Sequence, residues 1–442
     1  MRLPTCLLAL ALLLPTAIVC YAQDRYEVDL QEIEKEIQRT AAKAYSLGGF
    51  LEFQPILFGI DRDSAFSRLQ FFKRHQDSTF EQYNFRLRLE GSYTKDPFSV
   101  FFKTDTHVGN DFQGWDEDVR LFEGYLSFKP TSSLALEAGK KLVKWGKGYA
   151  WNPVSFIDRP KNPEDPEEAL EGATVISADL IQSFDGPLKT VALNTTLVPV
   201  YEHINAKFGE LNHVNFASKL YFLLYDADVD LMVFTGASRT TRYGFDFSKN
   251  LTTNVEIHGE WAVINNLKST FVDERGHGFV HESEAMSYLL GLRYLTERET
   301  TYIFEYYRNG TGFSRKQMKD FFTFVDHSYG DFLSTGNESG LNRGSQLVKG
   351  AYGKPNPAQH YLYFRVSQKE PFDILYFTPA LTSILNLADG SLVAIPELAY
   401  SPVTNLDLRL RAAFLLGGNK TEYGEKQNDY RLELRLRYYF GF

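Results

Sequence analysis

The sequence predicts an all-β protein: a transmembrane, antiparallel up-and-down β-barrel of about 18 strands, with about 16 the alternative count, and a short N-terminal helix. Three observations carry this. An export signal opens the chain, period-two alternation runs through most of the remaining residues, and connections alternate between tight turns and longer loops.

At 442 residues, a net charge of −9 and a mean hydropathy of −0.29, the chain resembles an ordinary soluble protein. Its aromatic content does not: 15%, with 36 Phe and 26 Tyr against four Trp. A lipid-facing barrel needs such rings, because aromatic girdles sit at both membrane interfaces. The N-terminus supplies the compartment. Arg2, an apolar run from Leu7 to Val19 and the small-residue end Cys20-Tyr21-Ala22 read as a secretory signal over 1–22, cleaved after Ala22. The run is shorter than the roughly 20 residues a spanning helix needs. Val19 is too bulky to precede a lipidated Cys20. Cys6 and Cys20 both fall inside the signal, so disulfides contribute nothing to the mature chain. No later apolar stretch is long enough for a membrane helix, and only a closed barrel then satisfies the backbone in lipid. Losing Arg2 makes the mature chain one unit more negative, which argues against nucleic-acid binding.

A periplasmic segment, 23–47, comes first. Leu30, Ile33 and Ile37 repeat at helical spacing within Asp24 to Tyr45, and Gly48-Gly49 ends the helix. The barrel then occupies 48–442. Its last strand, YRLELRLRYYFGF, places Tyr430, Leu432, Leu434, Leu436, Tyr438, Phe440 and Phe442 on one face. Arg431, Glu433, Arg435, Arg437, Tyr439 and Gly441 take the other. The same alternation recurs in QYNFRLRLE and NLDLRLRAAF. Such segments begin near 48, 81, 97, 119, 133, 173, 188, 214, 228, 241, 251, 285, 300, 358, 372, 391, 404 and 428.

Every second connection is a tight turn, near 95–97, 129–131, 185–186, 226–228, 249–250, 297–299, 368–371 and 401–404. The others are mostly longer: 61–80, 108–118, 144–172, 201–213, 264–284, 310–357 and 417–427, with short ones near 239 and 386–390. Short turns at one rim and long loops at the other mark bacterial outer-membrane barrels, with the short turns periplasmic. An even strand number puts both termini in the periplasm.

With these features, the chain from Gly48 to Phe442 resembles the general porin family of Gram-negative outer membranes. Its C-terminal Phe442, backed by Phe440 and Tyr438, resembles the signal that family presents to the barrel assembly machinery. The segment GKKLVKWGKGYAWNP (Gly139 to Pro153) resembles a strand-to-loop motif of several porin-like families. The resemblance implies outer-membrane lipid, lipopolysaccharide and small solutes as partners, and raises the expectation of a homotrimer. It also implies that the third long loop, here 144–172, folds into the barrel and constricts the pore.

That loop is stiffened by Pro153, Pro160, Pro163 and Pro166, and its second half is acidic: Glu164, Asp165, Glu167, Glu168 and Glu171. Opposite it, barrel closure gathers Arg86, Arg88, Arg409, Arg411, Arg431, Arg435 and Arg437 into one basic wall. An acidic loop across an aqueous gap from such a wall sets up a transverse field that selects polar or charged solutes. The bland alternatives are an exposed acidic loop and an ion-pair lattice with Glu52, Glu90, Asp407 and Glu433. Trp145 and Trp151 fit solute stacking, interface anchoring or loop packing, the last two being commoner. The glycine-rich loop 310–357, with a short helix around Arg315 to Phe322, fits a lid, a receptor patch or a partner contact.

No cofactor, metal or catalytic residue is called for. His277, His281, Glu282 and Glu284 have metal-ligand spacing but no closed set. Asp226, Asp228 and Asp230 lack the Gly and Glu of a calcium loop. Gly146-Lys147-Gly148 is not a phosphate loop. The leading functional class is a passive channel. The alternative is a structural barrel that sheathes a partner, such as an electron carrier, or acts as a surface receptor; a hydrolase has no residue set to support it.

Overall fold

The computed structural model describes residues 44–441. The signal, the expected helix up to 43 and the terminal Phe442 lie outside the described residues. Eighteen antiparallel strands close on themselves, each hydrogen-bonded to its chain neighbours and the first to the last. They run β1 (Tyr45–Ile60), β2 (Thr79–Lys95), β3 (Phe98–Asp111), β4 (Gly114–Thr131), β5 (Leu134–Lys141) and β6 (Ala173–Ser183). Next come β7 (Leu188–Val200), β8 (His213–Leu224), β9 (Ala227–Thr235), β10 (Arg242–Thr252), β11 (Val255–Val272) and β12 (Gly278–Leu295). The circuit ends with β13 (Thr300–Arg308), β14 (His360–Gln368), β15 (Phe377–Asn386), β16 (Leu392–Val403), β17 (Leu406–Leu416) and β18 (Asn428–Gly441). Outward positions carry exposed Leu51, Phe85, Leu126, Ile176, Leu193, Leu410 and Tyr438, a belt suited to lipid; Glu52, Asp105, Glu260 and Glu433 face in, buried.

Segments expected to begin at 173, 188, 300 and 428 do so, and most others shift by a few residues. β1 starts upstream of Gly48, at Tyr45. The expected loop 108–118 is only the turn at Phe112-Gln113, and 264–284 shrinks to 273–277 between β11 and β12. In both places the strands continue past the lipid belt, where polar residues on both faces erase the alternation while backbone pairing persists. A register shift between Ile264 and Leu267 marks where β11 leaves the belt. The turn expected at 249–250 lies inside β10. The β14–β15 connection is wider than a tight turn and holds a 3₁₀ turn, Pro371–Asp373.

The closure seam is tight. Glu52 of β1 stands opposite Arg437 of β18 on one side and Arg86 of β2 on the other. A Cβ at Gly49 would sit 1.9 Å from the Arg88 carbonyl oxygen, so only glycine lets β1 and β2 approach here. Gly49→Ala is therefore expected to abolish the compact, fast-migrating barrel band on unheated gel electrophoresis. Retention of that band at wild-type yield would contradict the account of the seam.

At the long-loop rim, three helices form a cap. The β1–β2 loop supplies α1 (Ala65–Phe71); the β13–β14 loop supplies α2 (Arg315–Thr335) and α3 (Ser339–Leu347), then a π turn, Val348–Tyr352. α2 starts in a capping box of Ser314 and Gln317 and stops at Gly336, whose φ is 75°. The helices share a core of Ala65, Leu69, Met318, Phe321, Phe322 and Tyr352 with Val272 of β11. Asp326 of α2 binds Arg68 at 2.5 Å and lies 3.7 Å from Lys420 of the β17–β18 loop, tying three loops at one carboxylate.

Candidate channel constriction

The loop between β5 and β6, residues 142–172, crosses the barrel interior and is held on both walls. Its first half presents backbone amides to carboxylates of β11 and β13. Lys147 and Gly148 N–H each donate to Glu260 Oε1 at 2.6 Å, and Val154 N–H donates to Oε2 at 3.2 Å. Tyr149 N–H donates to Glu305 Oε1, and Ala150 N–H to Oε2 at 2.9 Å. Farther round, Lys147 Nζ lies 3.1 Å from Asp230 of β9. Lys161 closes the turn from behind, donating to the Gly148 and Tyr149 carbonyls at 2.7 and 3.1 Å. Trp151 seats the turn on the wall: it is 6% exposed, stacks on Tyr307 at 5.1 Å and touches Tyr361 and Tyr363. Trp145 is likewise buried, against Phe156. Both tryptophans are loop packing.

The second half reaches the far wall. Asp165 lies 3.0 Å from Arg435, 3.3 Å from Arg411 and 3.7 Å from Arg409. Glu164 binds Arg431 at 2.8 Å, and its carbonyl accepts from Arg411. Glu168 is 3.8 Å from Arg86, while Glu167 accepts the Tyr149 hydroxyl at 3.2 Å. Burial alone would raise the Asp165 carboxyl, but Arg411, Arg435 and Arg409 together hold it below the ordinary aspartate value. Burial pushes the Tyr149 hydroxyl up to about 12, so it stays a donor.

The seven arginines lie on β17, β18 and β2, and Glu52 of β1 lies within 4.0 Å of Arg86, Arg435 and Arg437. Each of the seven has a carboxylate within 4.0 Å. Arg437 binds Glu52 at 2.5 Å, Arg88 binds Asp105 at 2.6 Å, and Arg411 lies 3.3 Å from Glu397. Arg86, Arg409, Arg431 and Arg435 pair with Asp105, Glu397, Glu164 and Glu433. The acidic segment thus touches the wall instead of facing it across water. Of the expected lattice acids, Glu52 and Glu433 take part, whereas Glu90 pairs with Lys103 and Asp407 with the Ser401 hydroxyl.

Two cavities remain beside the loop. A cavity of about 560 Å³ lies between it and the short-turn rim, bordered by His258, Arg293, Arg365 and Glu397. A second, of about 350 Å³, lies among segments of the loop itself, around Asp158 and Pro166, and is closed by Lys103 and Glu123 of the wall. Gly146, Lys161 and Glu167 line both.

Glu164, Asp165 and Glu168, expected across an aqueous gap from the arginines, contact them directly, while Glu167 meets Tyr149. Residue reading missed Glu260, Glu305 and Lys161. For Glu305 the available signal was an acid sharing a strand face with Ile303 and Tyr307; Glu260 shares its face with Glu256 and His258, and Lys161 lies in the loop. Among the described residues no cluster of His, Cys, Asp or Glu can hold a metal. His281 and Glu282 are consecutive in β12, so strand geometry sends them to opposite faces. No helix among the described residues is long and apolar enough to cross a membrane.

A closed 18-strand barrel with an apolar outer belt, a charged interior and an inward-folded loop defines a porin-like outer-membrane β-barrel. Solved structures show the same architecture. The OccK11 (OpdR) structure of Pseudomonas aeruginosa aligns over 90% of this chain and 96% of its own, with a TM-score of 0.51 at 12% identity. The outer membrane protein OprD of Pseudomonas aeruginosa aligns over 90% and 94%, with a TM-score of 0.50 at 10% identity. At such identities the likeness is one of fold. No protein-family model and no characterised relative matches the sequence.

Proposed function

We propose that the protein is a passive outer-membrane channel for small hydrophilic or charged solutes, narrowed by loop 142–172. The observation that carries this is the crossbar: a loop fastened to opposite walls that leaves two cavities beside it, both lined by Gly146, Lys161 and Glu167. A barrel of this strand number leaves an aqueous interior unless something fills it, and here the loop fills only part. The paired arginines favour a structural part for the wall, as the anchor of the loop. The solute then meets mainly the residues that line both cavities. Liposomes containing the purified protein should take up small neutral sugars and amino acids at rates that fall steeply with solute size. Uptake indistinguishable from protein-free liposomes would sink the proposal and favour a barrel that sheathes a partner.

A further inference from the structure

We propose that Glu260 and Glu305 act as a carboxylate clamp on the turn from Lys147 to Val154, and that this clamp fixes the aperture of the channel. The inference rests on the channel reading and deepens it by naming the residues that position the constriction. Five backbone N–H groups converge on two wall carboxylates: those of Lys147, Gly148 and Val154 on Glu260, and those of Tyr149 and Ala150 on Glu305. Asn152 Nδ2 adds a sixth donor, 3.1 Å from Glu260 Oε1. Four of the amides are consecutive, the arrangement by which a tight turn builds a concave anion receptor. Here the anion is built into the barrel.

The surroundings hold the pair in a fixed orientation. Glu260 and Glu305 are 3% and 0% exposed, and His258 Nε2 lies 2.8 Å from Glu305 Oε1. Buried amides left without a partner are costly, so removing either carboxyl strands the turn's donors. The clamp also explains the glycines of the WGKG segment. Gly146 has φ +100°, and a Cβ there would lie 2.4 Å from Asn152 Nδ2 and 2.8 Å from Glu260 Oε1. At Gly148 a Cβ would lie 2.1 Å from the Trp151 carbonyl oxygen. Side chains at either position would hold the amides off the carboxylates. With Lys161 capping the carbonyls on the other side of the turn, this end of the crossbar has no slack.

The test uses the full-length protein in planar bilayers. Glu260→Ala and Glu305→Ala empty the receptor, and unitary conductance should rise severalfold with frequent transitions between current levels as the turn fluctuates. Acetate or formate in the bath, against chloride at equal ionic strength, should refill the vacated receptor and return both quantities toward wild type. Conductance and noise unchanged in the variants would overturn the clamp. So would a raised conductance indifferent to acetate, which is what a merely structural role gives. If either variant fails to assemble, Gly148→Ala decides: it leaves both carboxylates in place and displaces the turn. A severalfold, acetate-insensitive rise supports the clamp, and wild-type currents contradict it. A wild-type protein that does not conduct at all contradicts the channel reading itself.

Discussion

Asp165→Ala is expected to free the acidic end of the crossbar, raise unitary conductance severalfold and weaken the barrel by about 3–5 kcal/mol, the usual cost of removing one partner from a buried ion pair. Asp165 is 7% exposed and stands among Arg435, Arg411 and Arg409 at 3.0, 3.3 and 3.7 Å. Its loss leaves Arg411, itself 4% exposed, with only Glu397 and Glu433 to balance it. Acid should act in the same direction. The folded Asp165 carboxyl lies below its ordinary value, so its contribution is complete above the unfolded value of about 3.9 and is lost as pH falls through the lower folded value. Thermal unfolding followed from neutral to strongly acidic pH should show this loss in the wild type. The slope should be shallower in Asp165→Asn. Equal slopes in the two proteins would show that the anchor carries no linkage.

Tyr352→Ala is expected to detach the helical cap without opening the barrel. Tyr352 is fully buried, with its ring stacked on Phe313 at 4.1 Å and on Phe321 at 4.0 Å. Its hydroxyl accepts from the Val272 amide at 3.2 Å, fastening the β13–β14 loop to the β11–β12 hairpin. Truncating a buried aromatic of this size costs about 3–5 kcal/mol. No β-strand depends on it, so the loss should fall on the cap. Limited proteolysis of the folded protein should cleave within α2 and α3 in the variant and spare them in the wild type, while the strands stay protected in both. A cap equally protected in both proteins would place its stability elsewhere, for example in the Asp326 ion pairs.

The barrel was legible wherever lipid lies on one side and water on the other. In YRLELRLRYYFGF each residue reports its face, because burial against lipid and exposure to an aqueous interior demand opposite chemistry at period two. Above the lipid belt that contrast ends. His281, Glu282, Ser283 and Glu284 are all exposed, so a strand that continues there looks like a loop. The arginines were legible as a wall because closing the barrel must bring the last strands beside the first. Their pairing with Asp165 was not, since it depends on how far a proline-stiffened loop folds inward. Glu260 and Glu305 show the deeper limit. Each is an acid on an inward face, and nothing nearby in sequence says that its partners are amides more than a hundred positions away. The cap shows the same limit: Arg315 to Phe322 is helical in the sequence reading, but the helix runs on to Thr335 because its apolar face meets α1, a partner from the opposite end of the chain.

A passive channel requires a water-filled path past the crossbar from one rim to the other. Single-channel recording of the purified wild-type protein in a planar lipid bilayer tests it most directly. Discrete, stable conductance steps are expected, linear in voltage near zero, that grow severalfold when Asp165 is replaced by alanine. A correctly folded protein that yields no current step at any voltage, in the wild type and in the Asp165 variant alike, would contradict the channel.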